Sequence, residues 1–123
     1  MKNELIVKYK GYLYFVFRIL VGLLFFTHGI QKFGLLGGSS VDLISLMGLA
    51  GTIEILVGAL IVIGFLTRIA ALIGAIEMLV AYFMAHLPSG LNPLTNQGEP
   101  ALLFFAAFLV LMGYGSVKWP HKP

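Results

Sequence analysis

The sequence predicts an all-α fold: a single integral membrane domain built as a four-helix transmembrane bundle, with both termini in the cytoplasm. Three observations lead there. Of 123 residues, 59% are apolar and only 11% charged, against roughly half and a quarter in soluble domains, and the mean hydropathy is +0.99. The apolar residues collect in four runs of about the length that crosses a bilayer. The basic residues outside those runs fall almost entirely on one side.

The first run, 11–30, is interrupted only by Arg18, Thr27 and His28. At 1.5 Å per residue it covers about 30 Å, the hydrocarbon thickness. A charge inside the run and the lack of a small-residue cleavage site make it an uncleaved helix rather than a signal peptide. The second run, 43–66, has Asp42 placed to cap its start and Gly64 near its end. The third, 69–85, follows after only Thr67 and Arg68, so the two form a tight antiparallel hairpin. The fourth begins at Pro100, a favoured first-turn residue, and runs to 117.

Lys2, Lys8, Lys10, Arg68, Lys118 and Lys122 sort to one side and Lys32 to the other, which puts the termini and the 67–68 turn inside. Tyr12, Tyr14, Tyr114 and Trp119 stand near the inner ends as interface aromatics. The outward segments, 32–41 and 87–99, are rich in glycine and polar residues and form a polar lid over the outer mouth. Neither is a phosphate loop. The scattered cations do not make a nucleic-acid surface. The absence of cysteine excludes a dithiol relay, an iron–sulfur cluster and a disulfide.

Five ionisable side chains lie in or at the ends of the spans: Arg18, His28, Glu54, Glu77 and His86. A charge at the bilayer centre costs about 2.5–3.5 kcal/mol even on a lenient scale, so each marks a candidate functional position. Counting from the inner end of each span gives depths of about 9 Å for Arg18, about 12 Å for Glu77, about 18 Å for Glu54 and about 25 Å for both histidines. The expectation is two layers, an inner cluster of Arg18, Glu54 and Glu77 and an outer histidine pair.

Small residues share the faces of the inner three. Arg18 aligns with Gly11, Gly22 and Gly29, Glu54 with Gly51 and Gly58, and Glu77 with Ala70, Gly74 and Ala81, so the charged faces are also the packed faces. One arginine against two carboxylates leaves a surplus negative charge, which a proton held between Glu54 and Glu77, or shared towards His28, would remove. The bland alternative is a structural clamp that fixes helix register. For His28 and His86 the alternative is interface filler, since Glu77 and His86 fall about 180° apart on an ideal helix. Haem ligation by the two histidines has no second pair to support it, and the Glu-x-x-His spacing of two-metal bundles is absent.

Arg18 with Gly22, the segment 28–32 (His-Gly-Ile-Gln-Lys), Gly51-Thr52-Ile53-Glu54 with Gly58, Gly64 with Thr67-Arg68, Glu77, His86 and the segment 98–101 (Gly-Glu-Pro-Ala) follow one another in an order that resembles the DoxX family of small bacterial and archaeal membrane proteins. The resemblance spans 18–115 and departs at 114–123, where a Gly-Pro-Gly ending is more usual. It implies a four-helix bundle and a component of a membrane oxidoreductase, with thiosulfate:quinone oxidoreductase subunits among the relatives.

The expected function is a redox component of a multi-pass plasma-membrane system that holds a quinone. Arg18, Glu54 and Glu77 are the catalytic candidates, for charge stabilisation and proton handling, and His28, Gln31, His86 and Glu99 are the groups that would bind the ring near the exit. Electrons then come from a soluble or membrane redox partner. The other classes are a non-catalytic scaffold whose outer loops recruit soluble proteins, and a small transporter, which the lack of an inverted repeat disfavours. The limited interior of four short helices leaves room for a homo-oligomer or a heteromeric complex.

Overall fold

The computed structural model describes residues 2–37 and 42–116. Lys118, Trp119, Lys122, the side chain of Lys2 and the 38–41 part of the first loop lie outside the described residues. Among the described residues four helices run antiparallel in sequence order: α1 (Lys2–Gln31), α2 (Leu46–Ile63), α3 (Thr67–Ala81) and α4 (Glu99–Tyr114). A π-helical turn, Tyr82–His86, and a short 3₁₀ turn, Leu87–Ser89, continue α3. With them, the stretches 3–31, 46–63 and 67–89 are each long and apolar enough to cross a membrane, and α4 is a shorter apolar helix.

The element boundaries follow local chemistry. α1 starts well before the expected 11, because 2–10 contain no glycine or proline to interrupt it. α2 starts later than expected and is capped by Ser45, whose Oγ accepts from Gly48 N–H at 3.0 Å; Asp42 offers only its backbone carbonyl, to Ser45 N–H and Oγ–H. At the other end Gly64 takes φ 84°, and the N–H groups of Gly64 and Phe65 both bond back to Leu60 O. That left-handed cap lets α3 begin three residues later.

The bundle consists of two tightly packed pairs, α1 on α2 and α3 on α4, joined mainly along α2 and α3. Glycine makes the α1–α2 approach possible. A Cβ at Gly58 would stand 2.6 Å from Phe26 N and 2.7 Å from Gly22 O, and one at Gly29 would stand 2.7 Å from Gly51 O. In the other pair Gly74 receives the Phe108 ring, whose edge would be 2.8 Å from an added Cβ. Phe25, Val57, Ile61, Ala71, Met78, Phe108 and Leu111 fill the centre, with Phe25 meeting Phe108 edge-on at 4.8 Å. Leucines and isoleucines such as Leu20, Leu56, Ile73 and Leu103 face outward, as a lipid-facing surface requires.

Candidate functional site

The α2–α3 hairpin brings two acidic side chains to one height. With the observed boundaries, Glu54 lies about 14 Å back from the end of α2 and Glu77 about 15 Å into α3. Glu54 is buried in the middle of the α2 stripe of Gly48, Gly51, Val57, Gly58 and Ile61. Glu77, on α3, lines the same cavity as Glu54 and Lys32. Its Oε1 is buried with no donor facing it. Lys32, just past α1, reaches across to Glu54 Oε1 at 2.8 Å.

These groups open on a cavity of about 360 Å³. Its polar lining is His28, Lys32, Glu54, Glu77, His86 and Gln97, and its apolar wall includes Phe25, Met78 and Phe104. The His28 ring meets Phe104 edge-on with centroids 5.4 Å apart. The expected separation into two layers is therefore corrected: the carboxyls and both histidines line one space.

His86 reaches it because α3 changes pitch. From Tyr82 the chain makes a π-turn, closed by Leu87 N–H bonding to Tyr82 O. Each residue of that wider turn advances less than the 100° of an α-helix. The half-turn expected between Glu77 and His86 is reduced, and both face the cavity.

Behind the ring stands the loop 90–98. His86 Nδ1 is 3.2 Å from the backbone oxygen of Asn96. Asn96 is buried, 3% exposed; its Nδ2 donates to Tyr82 Oη and Gly90 O at 3.2 and 2.9 Å, and its Oδ1 accepts from Gly98 N–H at 2.8 Å. Gly98 lies against the Tyr82 ring, with no room for a Cβ.

Arg18 is elsewhere, which corrects the expected inner cluster. Its Nη1 donates to Ile61 O and, at 3.1 Å, to Val62 O, where the α2 carbonyls run out of intrahelical partners. The cause is register: α1 begins at Lys2, so Arg18 lies level with the 64–66 turn rather than one helix-third into the bundle. Arg68 serves α4 in the same way, reaching Gly113 O and Tyr114 O at 3.4 and 3.3 Å, while Tyr14 Oη–H donates to Gly115 O at 2.6 Å. Each arginine completes the C-terminus of another helix, where a cation also suits the dipole.

Gln31 and Glu99 are not brought to the cavity. Gln31 is exposed and donates to Leu36 O at 3.2 Å within its own loop. Glu99 is exposed in the first turn of α4, a favourable place for an acid. Conversely, Lys32, Tyr82, Asn96 and Gln97 form or support the cavity although they were not among the expected site residues. Lys32 follows His28 by four positions, the interval that puts two side chains on one helix face, and that spacing was the available signal.

A family model described as DoxX matches residues 13–87. An uncharacterised protein of Haemophilus influenzae is 36% identical over 125 aligned positions, covering 94% of this chain and 93% of its own. An uncharacterised membrane protein of Mycobacterium tuberculosis is 38% identical over 79 positions, 57% of this chain and 48% of its own, so the chain spans about half of that relative. No solved structure matches. The aligned segment holds Arg18, the paired carboxyls, both histidines and the hairpin between them, and the chain belongs to the DoxX family of membrane proteins.

Proposed function

We propose that the protein is a redox component of a bacterial plasma membrane whose cavity takes a quinone-type ring. The observation that supports this reading is the cavity of about 360 Å³ into which Glu54, Glu77, Lys32, His28 and His86 all converge. That volume falls at the lower end of those of small-molecule sites. It suits one flat ring lying against the Phe25 and Phe104 rings, which meet each other at 5.2 Å and form one wall, with a lipid tail left outside.

Such a ring exchanges two electrons and two protons between its dicarbonyl and dihydroxy forms. The chain has no cysteine, and the electrons pass to or from a partner protein. The protons are handled here. Glu54 and Glu77 line the same cavity, and one proton held by the pair, with Lys32 balancing the remaining charge, removes its surplus negative charge. His86 and His28 complete the donor and acceptor set. By the distribution of lysine and arginine, the cavity lies towards the outer side and the Arg18 and Arg68 caps towards the cytoplasm.

Solvent extraction of the purified protein tests this. About one quinone per chain is expected, falling sharply in Glu54→Gln/Glu77→Gln. Protein that retains none and shows no saturable binding in vesicles, together with an unchanged quinone redox state in cells lacking it, would sink the reading.

The second reading, a scaffold that recruits soluble redox proteins, is favoured by one observation. Lys32 already neutralises Glu54, as in a clamp that only fixes helix register. The same extraction separates the two.

A further inference from the structure

The contact between His86 and the Asn96 carbonyl fixes more than a ring position. A carbonyl oxygen only accepts, so Nδ1 carries hydrogen whenever this 3.2 Å contact exists. The neutral ring is then the Nδ1–H tautomer, with its lone pair on Nε2. The loop side of the ring is occupied by Asn96, and the ring otherwise lines the cavity. We propose that Asn96 is a positioning residue that confines proton exchange by His86 to Nε2, on the cavity side, so that the site takes a ring bearing a hydroxyl donor, the dihydroxy form of the couple.

The proposal rests on the quinone reading for the identity of the ring, but not for the tautomer. The step is a proton exchange at one atom: the ring hydroxyl O–H bond breaks as Nε2–H forms, leaving a ring oxyanion beside an imidazolium that keeps its Nδ1–H on Asn96 O, and the reverse transfer restores both. Asn96 is built to hold its carbonyl still. Its side chain is tied to Tyr82 Oη, Gly90 O and Gly98 N–H, so a movement of the carbonyl strains bonds to the π-turn and to both ends of the loop. The π-turn belongs to the same device, because it presents the ring to both the cavity and the loop.

The first arm of the test needs no ligand. Histidine labelled with ¹⁵N in the full chain, in lipid nanodiscs and assigned by loss of signal in His86→Gln, should show a protonated Nδ1 and an unprotonated Nε2 in the neutral ring. Asn96→Ala should give a mixture of tautomers. If that variant fails to fold, Tyr82→Phe, which removes only the Oη acceptor, should still broaden or shift the His86 signals. An Nε2–H tautomer in the wild type overturns the proposal, as does a tautomer indifferent to both variants.

The second arm compares a short-chain hydroquinone with its dimethyl ether, which cannot donate. At least tenfold weaker binding of the ether is expected, and a difference that disappears in His86→Gln. Equal binding of the two overturns the donor preference. Binding of neither overturns the quinone reading and the ligand half of the proposal, while the tautomer result stands or falls on the first arm.

Discussion

Lys32 Nζ lies 2.8 Å from Glu54 Oε1, joining the end of α1 to the middle of α2 at the cavity, with Lys32 20% exposed and Glu54 3%. The two ends of this pair are not equivalent. Lysine, freed of its partner, can extend its flexible stem towards water, whereas Glu54 is held inside a glycine-lined stripe.

Removing the cation should therefore do more damage than removing the anion. Lys32→Met should destabilise the bundle by about 3 kcal/mol, the order seen when a buried pair is broken from one side. Glu54→Gln should cost less than half of that, and the double variant should recover part of the Lys32→Met loss. Reversible unfolding in mixed detergent micelles measures all three, and equal losses for the two single variants would contradict the asymmetry.

Glu77→Gln should behave in the opposite way. It replaces one of the two carboxyls lining the cavity, a group whose Oε1 is buried without a hydrogen-bond partner, by an uncharged amide, so stability should be unchanged or raised. Proton-coupled turnover or quinone binding should fall at least tenfold. A Glu77→Gln variant that unfolds readily would mean that the carboxyl pair is mainly structural.

Arg18 separates stability from ligand binding in the other direction. Its bonds to Ile61 O, buried, and Val62 O, part-buried, are charge-assisted, and Arg18→Met should cost about 2 kcal/mol. Hydrogen exchange should rise selectively in the last turn of α2. Quinone binding by the folded fraction should match the wild type; loss of binding at unchanged exchange would return Arg18 to the site.

The glycine contacts give the largest structural effect. Gly58→Ala places a methyl against Phe26 N and Gly22 O, both backbone atoms that cannot rotate away, and should cost about 2–3 kcal/mol by separating α1 from α2. Gly113→Ala, where nothing lies within 4 Å of an added Cβ, is the control and should leave the melting temperature unchanged or slightly raised.

Much of this was legible in the chain. The apolar runs announced four helices, because a bilayer demands long uninterrupted spans, and Gly51, Gly58 and Gly74 announced the packed faces because only small residues allow close approach. The hairpin turn was readable from Gly64 and the few residues before Arg68. What failed was depth. Counting from Gly11 ignored the helical start at Lys2, and this moved Arg18 into a cluster that it does not join. The π-turn is marked only indirectly in the sequence: 82–86 contain nothing that forbids an ordinary α-helix, but Pro88 just beyond has no N–H to offer Met84 O and cannot continue one. In the sequence Lys32 reads as a topology signal, because its partner is 22 positions away, on a helix whose register a one-dimensional reading does not fix.

The unequal helices have a consequence for the surrounding lipid. α1 is 30 residues long and α4 only 16, about 45 Å against about 24 Å. A hydrocarbon layer of about 30 Å fits neither, so α1 tilts or extends past the interface, while the α4 flank calls for local thinning, side chains that reach to the interface, or a neighbouring subunit. The two flanks of the bundle therefore differ in hydrophobic height, and the cavity wall supplied by Pro100, Ala101 and Phe104 stands on the shorter one.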